Sequence, residues 1–278
     1  MNQTKTVLII TLFVVLCGLV LSFSTFAGEK SLIMATTTST EETGLLDYLA
    51  PYFTRDTGIE LKWVATGSGK ALMLGQNCDV DVLLVHAPDA EKEYVAKGYG
   101  INRREIMYND FVIIGPVADL AGIHGKSVKE SLEAIKSKKG IFVSRGDNSG
   151  THIKEISLWQ QLNLFVPDKE SWYIQAGQGM LATIAIAAER GGYTLADRGT
   201  YIKYEDNMAG RPPLKILVQG DPDLINQYSV IIVNPARCLN AKTDLAMKFS
   251  EWMAGNSAQK RIQDFTLIGK QLFFPNAK

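Results

Sequence analysis

The sequence predicts an α/β protein built of two lobes with a cleft between them. Short apolar strands alternate with amphipathic helices almost throughout, a pattern typical of parallel sheets covered by helices. Two strands stand apart from this alternation, Phe111–Ile114 in the middle and Tyr228–Val233 near the end. A chain that leaves one lobe, builds another and returns for its last helices crosses twice, so these strands predict paired crossover segments. Such folds bind ligands in the crevice at the carboxyl ends of the strands.

The first 27 residues have the layout of a secretory signal peptide. One positive charge, Lys5, precedes the uncharged apolar run Val7–Phe23, and small residues before Gly28 suit cleavage near Ala27. The apolar run is nearly as long as the roughly 20 residues that span a bilayer, so an uncleaved anchor is the alternative. We expect cleavage and a periplasmic location.

The composition of the remaining chain excludes some functions. About 250 residues remain, enough for one large or two medium domains. Loss of Lys5 turns the formal net charge of 0 into about −1, and no basic run follows. Nucleic-acid binding requires a clustered basic patch, so it is disfavoured.

The predicted elements follow the apolar spacing along the chain. The first lobe, residues 28–112 plus 226–278, takes the strands Ser31–Ala35, Ile59–Ala65 and Val80–Val85, and the helices Leu45–Phe53 (stopped at Gly58), Ala71–Leu74, Asp89–Lys97, Asp244–Ala254 and Ser257–Phe265. The second lobe, residues 113–225, takes the strand Ile141–Ser144 and the helices Val128–Ser137, Thr151–Asn163 and Met180–Arg190. In the last helix, Met180, Leu181, Ile184 and Ile186 form one apolar stripe, and we expect them in the core.

Turns rich in hydroxyl groups or glycine lie at three strand-to-helix junctions, Thr36–Thr40, Thr66–Gly69 and Ser144–Thr151. Any one alone would be explained as a helix cap. Three at equivalent positions on both sides of a cleft are better explained by an anion held by hydroxyls and helix-start amides.

The third turn adds a charged group. The amides of Ser149, Gly150 and Thr151 should point out of a helix N-terminus, and the Arg145 guanidinium offers a planar fork that matches two oxygens of an oxyanion. We interpret Asp147 as the partner that orients Arg145. The alternative is an N-capped helix with a surface arginine paired to Asp147.

Two segments partly match enzyme motifs, but each lacks residues that the motif requires. Gly67–Ala71 resembles part of a phosphate-binding P-loop, but Val64 stands where its first glycine belongs and Ala71 where its magnesium-binding hydroxyl belongs. Gly146–Ser149 resembles a serine nucleophile turn, but no histidine is placed as its general base. We expect His152 to be a surface or capping residue, and we predict no catalytic residues and no enzyme.

The cysteines leave open whether the protein contains a disulfide, and the cysteines and histidines together give no sign of a metal site. Cys78 and Cys238 can form a disulfide in an oxidising compartment, but two isolated thiols fit the sequence equally well. His86, His124 and His152 are dispersed, and neither cysteine has a partner at metal-ligand spacing. We predict no metal site and no cofactor.

Six segments, taken in order, resemble the tungstate-binding periplasmic proteins of the TupA type, the solute receptors of tungstate ABC importers. They are Thr36–Ser39, Thr66–Gly69, Leu83–Pro88, Ser144–His152, Met180–Thr183 and Glu189–Thr200. The resemblance covers essentially the whole mature chain. It implies a type II periplasmic-binding fold that closes over one tetrahedral oxyanion and delivers it to an ABC transporter permease in the membrane. We expect a monomer.

Carried over position by position, the resemblance implies ligand contacts from both lobes. The implied contacts are Thr38, Ser39 and Ser68 in the first lobe, and Arg145, Ser149, Gly150 and Thr151 in the second. Thr37 and Lys70 would lie near the site.

Phosphate is the main rival ligand, because the segment from Arg145 to Thr151 also resembles the motif of periplasmic phosphate receptors. Those receptors recognise the phosphate proton with the carboxylate of a Ser-Asp-Ala-Pro segment, where this chain has Val85–Pro88. A fully deprotonated oxyanion is therefore the better ligand. Molybdate has the same shape and charge as tungstate, and a sensor that presents the anion to a membrane signalling partner would have the same sequence features, so both alternatives stay open.

Overall fold

The computed structural model describes residues 30–161 and 163–278, so the predicted signal peptide lies outside the described residues. In chain order the first elements are β1 (Lys30–Thr37), α1 (Thr38–Glu42), α2 (Leu45–Thr57), β2 (Ile59–Thr66), α3 (Ser68–Gln76), β3 (Val82–Val85), α4 (Pro88–Ala96) and β4 (Gly100–Pro116). The next are α5 (Val128–Ser137), β5 (Phe142–Ser144), α6 (Gly150–Gln161), β6 (Tyr173–Gln175), α7 (Met180–Arg190), β7 (Thr194–Asp197), α8 (Arg198–Asn207), β8 (Leu214–Val218) and a 3-10 helix (Pro222–Leu224). The last are β9 (Ile225–Val233), α9 (Thr243–Ala254), α10 (Asn256–Asp264), β10 (Thr266–Leu267), β11 (Lys270–Gln271) and β12 (Phe274–Pro275). Within this part of the chain, no helix is both long enough and apolar enough to pass through a membrane.

The main sheet is mixed, with the strand order β12-β4-β9-β3-β1-β2. β1 runs parallel to β2 and β3, as predicted. β9 is antiparallel to both β3 and β4, so the prediction of a parallel sheet is wrong for this strand. The reason is its return path: β9 re-enters the sheet beside the carboxyl end of β3, where Ser229 lies opposite Val85, and must run the other way.

β4 is a crossover strand, and it is much longer than the predicted strand Phe111–Ile114. Its first part pairs with β9, and its last residues pair with β7 and β8. Two register shifts between Ile101 and Met107 break the alternation of apolar residues. The sequence pattern therefore missed the first eleven residues of β4, which precede Phe111.

Buried side chains form separate clusters on the two sides of this crossing. One cluster around β1, β2, α2 and α9 contains Phe53 and Phe249, and another around β5, α5 and α6 contains Phe142 and Trp159. We keep the names first and second lobe for these two parts. Ile202 of α8 packs into the first-lobe cluster although it belongs to the predicted second lobe, so the predicted boundaries stay a prediction.

A disulfide joins Cys78, in the loop after α3, to Cys238, in the loop after β9. Their S–S distance is 2.05 Å. Both cysteines belong to the first lobe, so the structure selects the disulfide from the two alternatives that the sequence left open.

Helices with an apolar stripe were predictable, and polar ones were not. α5 and α7 have the predicted bounds. α8 was missed because its sequence has no apolar stripe; its start is instead fixed by Asp197, whose carboxylate accepts a hydrogen bond from the Thr200 amide at 2.8 Å.

A buried carboxyl group lies beneath the second-lobe side of the cleft. Glu155 of α6 is 3% exposed, and the Tyr173 hydroxyl donates to its Oε1 at 2.6 Å. Burial raises the pKa of Glu155 to about 7, against the opposing effect of the hydrogen bond from Tyr173. The folded protein therefore retains a proton that the unfolded chain releases.

We predict that this group makes the protein less stable as pH rises. Between the ordinary Glu pKa of 4.5 and about 7 the folded state binds more protons than the unfolded state, so stability present below pH 4.5 is lost as pH approaches 7. Glu155→Gln keeps an acceptor for Tyr173 without the charge and should be more stable than the parent by about 1–3 kcal/mol at pH 8. Urea unfolding at pH 5 and pH 8 measures this difference.

The exposed carboxylate of Glu133 provides the control, since Glu133→Gln should leave the pH dependence unchanged. Equal pH dependence in the parent and Glu155→Gln would contradict the assigned burial of the charge.

Candidate functional site

A cleft of about 500 Å³ opens between the lobes at the carboxyl ends of β1, β2 and β3. All seven residues that the sequence predicted as contacts line it: Thr38, Ser39, Ser68, Arg145, Ser149, Gly150 and Thr151. Thr37 lines it as well, whereas Lys70 is exposed and lies outside the lining. The fold therefore brings together residues more than 100 positions apart in sequence.

The first turn is tighter than predicted, because β1 extends to Thr37 and α1 begins at Thr38. Thr37 caps α1: its Oγ1 accepts the Thr40 amide at 3.3 Å and lies 3.1 Å from Ser39 Oγ. Thr36 is committed elsewhere, since its hydroxyl donates to the Leu84 carbonyl at 2.9 Å. Thr37 to Ser39, and not the whole predicted turn, therefore provide hydroxyls to the cleft.

The second turn presents a helix N-terminus without a side-chain cap. Gly67 precedes α3 in extended conformation, and no side chain in the described residues caps this helix. Its first backbone hydrogen bond runs from the Ala71 amide to the Gly67 carbonyl. The amides of residues 68–70 thus have no acceptor inside the helix, and Ser68 places its hydroxyl beside them.

The third turn reverses the chain between β5 and α6. Gly146 has φ +61°, and a Cβ there would lie 2.8 Å from the Gln175 Cβ, so glycine is required. Ser149 caps α6 by accepting the His152 amide at 3.3 Å. Its own amide donates to Asp147 Oδ1 at 3.1 Å, so the prediction that this amide is open to a ligand is wrong. The His152 Nδ1 accepts the Asn148 amide at 3.0 Å, which confirms the predicted capping role of His152.

Arg145 and Asp147 form an ion pair at the edge of this turn, with Nη2 and Oδ2 2.5 Å apart. Burial raises the pKa of Asp147, but hydrogen bonds from Ser149 and the Arg145 guanidinium outweigh burial and hold that pKa below its usual value. Asp147 therefore stays ionised and orients Arg145, as predicted. The Arg145 Nε is buried and meets no acceptor among the described residues.

A fourth helix N-terminus, that of α7, was missed by sequence reasoning. Gly179 precedes α7 in extended conformation without a side-chain cap, and Met180, Leu181 and Ala182 line the cleft. Leu181 is 45% exposed, so its predicted place in the core is wrong. The signal was Gly179 at one more strand-to-helix junction, but the preceding strand, β6, has only three residues and was not predicted.

A polar network behind the first turn was also missed. The Nε2 atom of His86 lies 3.0 Å from Thr37 Oγ1, and its Nδ1 atom lies 3.0 Å from Asn226 Oδ1. Asn226 Nδ2 in turn donates to Asn109 Oδ1 at 2.7 Å. Thr37, His86 and Asn226 lie at the ends of three strands that meet only after the sheet has formed. No local sequence motif therefore predicts this network.

Direct contacts join the lobes across the cleft. Lys203 of α8 lines the cleft, and its Nζ donates to the Glu42 carbonyl at the end of α1 at 2.7 Å. Farther out, Lys270 forms an ion pair with Glu205 of α8. The described conformation is thus one in which the lobes touch.

Taken together, the cleft offers donors from four helix starts, a set of hydroxyls and one guanidinium. In the described chain, no group of three or more His, Cys, Asp or Glu side chains is arranged to hold a bare metal ion. Such a donor-rich cavity is suited to a small, multiply charged oxyanion.

Comparison with known proteins identifies the family. A family model described as a PBP superfamily domain matches residues 24–257. The tungstate-binding protein TupA of Campylobacter jejuni is 52% identical over 240 residues, which cover 86% of this chain and 89% of that protein. The chain belongs to the TupA family of the PBP superfamily.

Solved structures of this family share the fold. The tungstate-binding protein TupA from Desulfovibrio alaskensis G20 is 63% identical and superposes with a TM-score of 0.87, covering 90% of this chain and all of that one (100%). The tungstate ABC transporter structure from Geobacter sulfurreducens is 44% identical with a TM-score of 0.73, covering 85% of this chain and 99% of that one. These matches confirm the predicted periplasmic-binding fold.

Proposed function

We propose that this protein is an extracytoplasmic receptor that captures tungstate and delivers it to an ABC importer. The observation that carries the proposal is the convergence of uncapped helix starts, hydroxyls and Arg145 from both lobes on one cleft. The names of the TupA relatives support tungstate as the ligand.

Binding uses donors that each lobe can offer only in part. Amides of α3 and hydroxyls of Thr38, Ser39 and Ser68 approach from the first lobe, and Arg145 with the amides of α6 and α7 from the second. A tetrahedral dianion satisfies both sets when the lobes close, and this differential affinity favours the closed state. A membrane permease then recognises the closed surface. The role is capture, since no acid, base or nucleophile takes part.

The related proposals follow from the same family. Removal of residues 1–27 would release a periplasmic monomer, with lobes formed by residues 28–112 plus 226–278 and by residues 113–225. We assign the ligand contacts to Thr38, Ser39, Ser68, Arg145, Ser149, Gly150 and Thr151, and we propose that none of them is catalytic.

Titration calorimetry with tungstate, molybdate, sulfate and phosphate tests the ligand directly. We expect tight binding of tungstate, with sulfate and phosphate weaker by at least about 100-fold, because phosphate carries a proton and sulfate is smaller than the tungstate dianion. Tight phosphate binding without tungstate binding would overturn the proposed ligand. Preference for molybdate would assign the same site to the other group-6 oxyanion.

Arg145 should carry a large share of the affinity. Arg145→Ala removes a charged donor and leaves Asp147 unpaired beside the anion, so we expect a loss of about 2–5 kcal/mol in calorimetric binding free energy. Arg145→Lys keeps the charge but loses the planar fork of N–H donors, so its affinity should lie between those of the parent and Arg145→Ala. Arg190→Ala, at the exposed end of α7, is the control that should bind like the parent. Parent-like affinity in Arg145→Ala would remove Arg145 from the site.

Lys203 should stabilise the closed state without specifying the ligand. Lys203→Met removes its hydrogen bond to the Glu42 carbonyl, and we expect tungstate to dissociate about 3–10 times faster, in stopped-flow displacement, with no change in ligand preference. Lys260→Met removes an exposed pair within α10 and is the control. An unchanged dissociation rate in Lys203→Met would show that this contact does not hold the lobes together.

A further inference from the structure

His86 lines the cleft with both ring nitrogens hydrogen-bonded. Its Nε2 is 3.0 Å from Thr37 Oγ1 and 3.2 Å from Ser39 Oγ, and its Nδ1 is 3.0 Å from Asn226 Oδ1. The ring also stacks on Tyr228, with centroids 4.6 Å apart. The imidazole is thus held in one orientation against the turn that carries two of the cleft hydroxyls.

Which ring nitrogen carries the proton depends on the orientation of the side-chain amides behind the ring. Asn109 Nδ2 donates to the Tyr228 hydroxyl at 3.3 Å, and Asn226 Nδ2 donates to Asn109 Oδ1 at 2.7 Å. In this order the Asn226 Oδ1 faces His86 and can only accept, so Nδ1 is the donor. The Nε2 then directs a lone pair at the first turn.

Burial keeps this ring neutral. It lowers the pKa of His86 below the usual value, against the smaller raising effects of the Asn226 hydrogen bond and the charge of Asp197. At pH 7 and above, Nε2 therefore remains an acceptor.

A count of protons then distinguishes the two hydroxyls. The single lone pair of Nε2 can take one proton, and Thr37 is the nearer hydroxyl. The Thr37 oxygen accepts the Thr40 amide at 3.3 Å and lies 2.6 Å from the Thr40 hydroxyl; when Thr40 donates in that pair, the Thr37 proton points at Nε2. The Ser39 proton is left for an oxygen atom in the cleft.

We propose that His86 is a selectivity-determining positioning residue: it accepts a hydroxyl proton of the first turn, leaves Ser39 free to donate into the cleft, and supplies no acceptor of its own for a protonated oxyanion. The proposal rests on the proposed function of the cleft. Two carboxylates also line the cleft: Asp197, whose oxygens both accept hydrogen bonds from Thr200, and the exposed Glu42. A fully deprotonated dianion needs only donors, whereas the proton of hydrogen phosphate finds no acceptor on the His86 ring.

The first test is a double-mutant cycle by titration calorimetry with tungstate at pH 8. His86→Phe keeps a ring against Tyr228 but removes the acceptor, and we expect affinity to fall on the order of tenfold. In a Thr37→Val background the same change should cost less than about twofold, because the hydroxyl whose proton His86 accepts is gone. His86→Gln, which can place an amide oxygen near Thr37, should recover most of the loss. Equal losses in both backgrounds would overturn the positioning role.

The second test concerns selectivity. His86→Asp puts a carboxylate acceptor at this position, so the ratio of phosphate to tungstate affinity should rise on the order of 100-fold. Circular dichroism melting establishes that each variant is folded. An unchanged ratio in folded His86→Asp would overturn the proposal.

The third test needs no variant. Nitrogen chemical shifts of the histidine rings in the intact protein should identify the Nδ1–H tautomer for His86, and the opposite tautomer would overturn the proposal. These outcomes are separate from the proposed function. Failure of the parent protein to bind tungstate would overturn that function, whereas tungstate binding with an unchanged ratio in His86→Asp would overturn only the role of His86.

Discussion

Helix-start amides that face one cleft from two lobes are the constraint on which the rest of this structure depends. Amides in the first turn of a helix have no partner within the helix, so α3, α6 and α7 each bring donors that only water or a ligand can satisfy. β1, β2 and β5 deliver the turns to the cleft because their carboxyl ends meet there. Since the donors belong to different lobes, a compact anion can satisfy all of them only when the lobes approach, and binding is thereby coupled to closure.

The charge around the cleft makes geometry more important than Coulomb attraction. Arg145 is paired with the ionised Asp147, so the pair adds little net charge and its guanidinium acts through oriented donors. His86 is neutral at neutral pH because burial disfavours its charged form. Besides Arg145 and Lys203, the donors that line the cleft are hydroxyls and backbone amides, which bind strongly only at the right distance and angle. A cleft of this kind distinguishes anions by shape and protonation.

Local chemistry explains how much of the site could be predicted. Three of the predicted residues, Thr38, Ser68 and Ser149, lie in turns that can be recognised from glycine and hydroxyl residues only a few positions apart. The sequence therefore located them. The α7 start was missed because the strand before it has three residues, too few for a periodic signal. The His86 network was missed because His86 and Asn226 are 140 positions apart and meet only through the antiparallel pairing of β3 with β9. That pairing follows from the return of the chain across the lobes, which propensity does not encode.

α8 links the cleft to the crossing strand through contacts at its first residue and farther along its length. Its first residue, Arg198, makes two hydrogen bonds of 2.5 Å to Asp110, where β4 passes from one lobe to the other. Lys203, farther along α8, reaches across the cleft to the Glu42 carbonyl. Asp110 lies on the strand that joins the lobes, so the Arg198 pair ties α8 to the crossing, and Ile202 of the same helix packs into the first-lobe cluster. This helix therefore connects the crossing strand, the first-lobe core and the end of α1 beside the cleft.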